Sequence, residues 1–345
     1  LKRCFNLQFA THRQPLCPIK KMTQKLFMKK ISYFLIVLLM IGCNPEYNFD
    51  YEIIISETAN NLGNLNSEFD DYNSDLPYPA QRMEIYFSSN RNSAGNQFDI
   101  VAGKLDFSYH SEDRILNVSI PNDVPPRISE LIFPKINSVN NEFGPHSYYS
   151  GSDLLFLYAT NPNDTFEIKF IELTNWDYSS QQTVSNSISI SQINEYGDNL
   201  YPSIDSDKRK LYFCSNRNDS CFSIYSARYN SDISKQTLIN GDIQQISKEI
   251  SVSSNFDDKC PFIKDNFMVF TSNREGNFDL WYSKYENNNW AEPIKFDSRI
   301  NSDYNEYRPV IFEILGFNLM IFSSDRPNGK GGYDLYIVKI DDYKN

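Results

Sequence analysis

Few residues of this chain have the types and spacing to do chemistry. Downstream of Cys43 there are two histidines, His110 and His146. The sequence has no Gly-x-Ser-x-Gly elbow, no His-Glu-x-x-His and no Cys-x-x-Cys pair, so the common nucleophile and metal motifs are missing. Ser323 to Val338 contains "NGKGG", the composition of a loop that wraps a phosphate. Such a loop needs a helix N-terminus behind it. The residues that follow, "YDLYIV", read as a strand instead. Two carboxylates can flank a glycosidic bond as acid and base, and Asp205 and Glu313 are the candidates for that role. His146, Tyr148 and Lys264 occupy comparable places in the pattern below. The paired Asx and Glu residues lack the dense alternation of a calcium loop, so no metal and no cofactor is expected.

These residues are set within an internal repeat. An apolar run, a Ser/Thr-Asn-Arg turn and a second aromatic-aliphatic run recur five times, at 85–101, 155–169, 211–225, 268–281 and 320–336. Asn90, Asn161, Asn216, Asn273 and Asp325 are equivalent. Arg91, Arg217, Arg274 and Arg326 follow four of them, and Pro162 takes the arginine's place in the second copy. A residue found in nearly every copy suits bracing of its own unit better than a single reaction. Upstream lie Pro145, Pro202, Pro261 and Pro309, each preceded by an Asx/Glu pair; the first copy is looser and ends at Pro77. The prolines read as strand starts, where no ladder donor is needed.

Four strands in roughly 50 residues, repeated, describe propeller blades. The expected fold is all-β, a five-bladed β-propeller of four-stranded antiparallel blades. A sixth blade is the alternative, and would need about 45 more residues. "YEIIISE" (51–57) has no partner nearby and is expected to pair with the last blade near 333–340, closing the ring. In this arrangement His146, Tyr148, Asp205, Lys264 and Glu313 fall on innermost strands, facing the channel. Ser108 to Ser129 reads as an ordered surface loop. Trp176 and Trp290 follow asparagine at one blade position and are expected to pack there.

The N-terminus has a different character. Residues 1–42 carry eight Lys/Arg and no Asp or Glu, so the remainder holds 33 − 8 = 25 basic against 44 acidic residues, a net charge of −19. That charge disfavours nucleic acid. "MKKISYFLIVLLMIGC" has the charged start and short apolar run of an export signal. Its end at Cys43 resembles the lipobox of bacterial lipoproteins, which implies lipidation of Cys43 and attachment to a membrane. Translation from Met28 or Met22 would give a signal of ordinary length. Residues 1–42 are expected to be removed, 43–50 to be a linker, and 51–345 to form one domain. Of the remaining cysteines, Cys214 and Cys221 flank a turn and could pair, leaving Cys260.

"WAEPIKFDSRINSDYNEYRPV" followed by "LMIFSSDRPNGKGGYDLYIVKI" resembles the TolB-like, WD40-like propeller repeat of bacterial envelope proteins. That resemblance implies a lipid-anchored, non-catalytic scaffold in the cell envelope, at the outer membrane, with an envelope protein as partner. The alternative reading is a carbohydrate-binding or glycoside-cleaving five-bladed propeller, with a glycan as ligand.

Overall fold

The computed structural model describes residues 52–121, 127–176 and 181–341. Cys43, the signal and the linker lie outside them. The described residues form five antiparallel sheets, a five-bladed β-propeller. From inner to outer strand the first blade runs Asp71–Asp75, Arg82–Ser89, Asp99–His110 and Ile115–Ser119. The second runs Glu142–Ser150, Asp153–Thr160, Glu167–Thr174, then the short Thr183–Val184 and Ile188–Ser189. Asn199–Asp205, Lys210–Ser215, Ser223–Tyr229 and Ile243–Lys248 make the third. In the fourth, Asp258–Lys264, Phe267–Ser272 and Asp279–Glu286 are followed by Asn289–Trp290 and Ile294–Lys295. Glu306–Ile314, Phe317–Ser324 and Asp334–Lys339 form the fifth, whose outer strand is Asn60–Asn61.

An N-terminal strand therefore closes the ring, six residues beyond the centre of the expected one. Asn60 and Asn61 pair with Ile337 and Tyr336. Glu52–Ile54 instead pairs with Ile115–Ser119 as a fifth strand on the first blade. The chain between them still touches the last blade, where Lys339 N–H donates to Ser56 O at 2.8 Å. Ser108–Ser129 is likewise corrected. It holds the fourth strand of the first blade and leads into the helix Arg127–Ile136, whose Ile132 and Ile136 pack between the first two blades.

Strand alternation places successive side chains on opposite faces, so each blade buries one face against each neighbour. The apolar core accordingly falls into five layers, one per blade interface, and a sixth cluster on the inner strands that includes Leu200, Tyr201, Cys260 and Tyr307. Leu155, Phe170, Leu211 and Phe213 lie between the second and third blades, for example, and Phe312, Ile85 and Phe87 between the fifth and first.

A β-bulge recurs in every innermost strand, where pairing slips at the third residue. Asn73, Gly144, Tyr201, Cys260 and Arg308 occupy it, all with φ between 46° and 59°. The prolines follow these residues inside the strand, where the slip has removed the ladder bond, and do not start it. Ser74, not Pro77, holds that place in the first blade. Gly144 is required in its place: a Cβ there would meet Tyr201 Cδ1 at 2.5 Å.

Candidate functional site

At the upper face, where the inner strands begin, one short motif is used five times. "NSEFDD" (66–71), "NSVNNE" (137–142), "NEYGDN" (194–199), "SSNFDD" (253–258) and "NSDYNE" (301–306) are equivalent. The first residue, Asn66, Asn137, Asn194, Ser253 or Asn301, bonds the backbone N–H and C=O of one residue in the preceding blade's third strand. The fifth residue accepts an N–H from the same blade: Phe98 to Asn141, Phe166 to Asp198, Phe222 to Asp257, Phe278 to Asn305 and Tyr333 to Asp70, at 2.8–3.1 Å. The Asx residues of the repeat are thus clasps between blades.

The sixth residue is buried and faces the repeat arginine. Arg91, Arg274 and Arg326 donate to Asp71, Asp258 and Glu306 at 2.6, 2.6 and 2.8 Å, and Arg217 to Asn199 Oδ1 at 2.8 Å. Each arginine also reaches a backbone carbonyl of its own blade's entry loop. The second blade has Pro162 there, so among the described residues Glu142 accepts only from Ser138 and Thr160. Burial pushes its carboxyl up to about 7.

Inside the clasps an aromatic collar narrows the channel. Tyr72 lies 5.1 Å from Phe98, 5.6 Å from Phe143 and 5.5 Å from Tyr333. Lys259 sits 4.5 Å over Phe222 and 5.3 Å over Phe278. Below the collar the bulge residues fill the axis. His146, buried, accepts Ile204 N–H at Nε2 (3.0 Å), which leaves the proton on Nδ1, 3.6 Å from Asp75 Oδ1. Asp75 in turn accepts Ser147 N–H at 2.9 Å, and Ser203 accepts Ile263 N–H at 3.3 Å. One blade position thus links the first four blades in sequence.

The lower face, where the inner strands end, carries a polar cleft of about 830 Å³ between the third and fourth blades. The hairpin Ser206–Lys210, the end of the third strand at Arg228–Asn230, Asp232 and the ring of Tyr285 line it. Asp207 is exposed and makes no ion pair among the described residues, while Asp232 pairs with Arg209 at 3.0 Å. Burial pushes the Tyr148 phenol up, and the charges of Asp232 and Asp207 add to that. Tyr148 of the second blade therefore stands within the field of both carboxylates.

Asp205 is not available to this cleft. It is buried, accepts Lys208 N–H and pairs with Lys208 Nζ, each at 3.0 Å, so it caps the hairpin that presents Asp207. Lys208 in turn lies 4.7 Å over Tyr285. Glu313 is exposed on the fifth blade, which does not adjoin the third, and Lys264 is half-buried at the end of its own strand. Trp290 is buried against Tyr212 and Tyr285, but Trp176 packs 4.8 Å from Tyr149 at the surface, so the two tryptophans do not share one setting. Cys214, Cys221 and Cys260 are all free thiols, which corrects the pairing considered for the first two.

Comparison with known proteins bears on these geometries. No family model and no curated protein matches the sequence. Solved structures do match. Glycoside hydrolase propellers share the fold. A GH43 β-xylosidase/α-arabinofuranosidase from a compost microbial metagenome, in complex with xylotriose, is similar over 85% of this chain and 97% of its own, with a TM-score of 0.54 and 8% identity. An α-L-arabinofuranosidase from Podospora anserina, in complex with cellotriose, covers 84% and 98% with a TM-score of 0.52 and 9% identity. The catalytic domain of a GH62 α-L-arabinofuranosidase from Coprinopsis cinerea covers 83% and 97%, with a TM-score of 0.51 and 7% identity. At these identities the likeness speaks to fold. It nonetheless overturns the TolB-like, WD40-like resemblance and the non-catalytic scaffold built on it: these three propellers are glycoside hydrolases, not envelope repeat proteins.

Proposed function

We propose that the protein acts on glycosides, with the oligosaccharide lying in the cleft between the third and fourth blades. The observation that carries this reading is the cleft itself. Its volume suits a short oligosaccharide, its lining is polar, Tyr285, with the Lys208 ammonium over its ring, walls it on the fourth-blade side, and the carboxylates Asp207 and Asp232 border it. The fold-sharing hydrolases, with xylotriose or cellotriose in their complexes, supply the probes. Of the two carboxylates, Asp232 is held by Arg209 at 3.0 Å, which suits the base or nucleophile. Asp207, which borders the same cleft and makes no ion pair among the described residues, is left for the acid role toward the leaving oxygen.

Calorimetry with xylotriose and cellotriose tests the placement. Wild type is expected to bind one of them, and Tyr285→Ala to weaken it about tenfold or more. Unchanged affinity in that variant would move the site elsewhere. Export and lipid attachment at Cys43, at the outer membrane, remain part of the proposal. Palmitate incorporation should disappear in Cys43→Ala, and its persistence would refute the anchor.

A further inference from the structure

The third blade sets two like charges opposite each other at a place where the other four blades do not. In every blade the residue six places before the repeat's Asn or Asp starts the pairing of second strand with third. Glu84 lies opposite Lys104 in the first blade, Leu155 opposite Glu172 in the second, Phe267 opposite Lys284 in the fourth and Leu319 opposite Lys339 in the fifth. In the third, Lys210 lies opposite Arg228. Like charges directly across a ladder destabilise it.

Strand alternation puts Arg228 on the same face as Ser226 and Ile224. Ile224 packs with Trp281 and Trp290 of the fourth blade, so this face turns toward the cleft between the third and fourth blades, which Arg228 lines. Glu249 does not settle the repulsion. It accepts Lys210 Nζ at 2.9 Å and Ser226 Oγ at 2.5 Å, and makes no ion pair with Arg228. The other cations of the cleft are also taken, Lys208 by Asp205 and Arg209 by Asp232, each at 3.0 Å. The Arg228 guanidinium is exposed and makes no ion pair or hydrogen bond among the described residues. Residues 43–345 carry a net charge of −19, which repels anions in general. An acidic ligand must therefore be recognised locally, and a planar guanidinium matches a carboxylate in two-pronged geometry.

We propose that the cleft takes an acidic oligosaccharide, with the carboxylate of a uronic acid residue on Arg228 and the Lys210 ammonium adding its field. This inference rests on the glycoside reading and names the class of sugar. The bound carboxylate supplies the charge that the third blade lacks at this pair.

The test is calorimetry at low ionic strength with two neutral sugars, xylotriose and cellotriose, and two acidic ones, trigalacturonate and xylotriose bearing one glucuronic acid branch. Wild type is expected to bind at least one acidic sugar about tenfold or more tighter than the neutral ones, and the preference should shrink as sodium chloride is added. Arg228→Gln should lose the preference. Because it removes one of two like charges, that variant should melt no lower than wild type without sugar. Equal affinity of wild type for acidic and neutral sugars would overturn this inference and leave the glycoside reading in place, as would a preference retained in full by Arg228→Gln. Failure of wild type to bind any of the four sugars would remove both.

Discussion

Glu142 shows what the repeat does when one of its parts is missing. Burial also raises Glu306, yet Arg326 at 2.8 Å pulls against it, and Glu142 has no such cation. The sign follows from proton binding. Between pH 4.5 and about 7 folded Glu142 holds a proton that the unfolded chain releases. Stability from this group is therefore present at low pH and falls as pH rises through that window, by up to about 3 kcal/mol. Urea unfolding of Glu142→Gln is expected to show a flatter profile between pH 5 and 7.5 and higher stability at pH 8. Pro162→Arg, which restores the partner of the other blades, should lower the Glu142 pKa, read by NMR titration of its side-chain carboxyl. A profile for Glu142→Gln that keeps the wild-type slope would contradict this account. The sequence displayed the missing arginine as Pro162. It did not display which carboxylate was left alone, because Glu142 is brought to that arginine's place only by strand pairing 18 residues away.

At the scale of the element, the inner strand is built around a bulge that repeats with unlike residues. Asn, Gly, Tyr, Cys and Arg share no side-chain chemistry, so the position was invisible in the sequence. Only the proline after it stands out, and on its pattern alone it reads as a strand start. The clasp motif was half legible: the Asx/Glu pair stood out, whereas the Asn or Ser five residues upstream bonds a blade whose position the sequence could not give. Gly144→Ala should show how tightly the bulge is set. The Cβ meets the Tyr201 ring at 2.5 Å on a backbone with φ 59°, and the expected loss is about 2–3 kcal/mol by urea unfolding. A loss below about 0.5 kcal/mol would mean that the ring moves freely and the axis is not packed as described.

For the whole molecule, blade count and closure by the N-terminus were legible, since five copies and a partnerless strand sufficed. The closing residues were displaced from "YEIIISE" to Asn60–Asn61 because the first blade, with its long third strand, takes Glu52–Ile54 for its own edge. Closure uses the same clasp as every other interface. Asn66 accepts Leu335 N–H at 2.8 Å and donates to its carbonyl at 3.0 Å. Asn66→Ala should therefore cost about 1–3 kcal/mol, and Asn137→Ala at an internal interface a similar amount. A negligible effect of Asn66→Ala beside a large one of Asn137→Ala would show that the ring is closed by other contacts. The cleft was harder to foresee. Asp207 and Asp232 belong to a hairpin and a loop peculiar to one blade, so no recurrence marked them, and Asp205, the carboxylate that the inner-strand pattern offered, serves to shape the hairpin.

The glycoside reading is tested most directly by the release of reducing ends from xylotriose and cellotriose. Wild type should cleave at least one of them, and Asp207→Asn and Asp232→Asn should each lower the rate by about 10²-fold or more while leaving the melting temperature near that of wild type. Cleavage at the wild-type rate in both variants, or no cleavage of either sugar by the wild-type protein, would contradict the account.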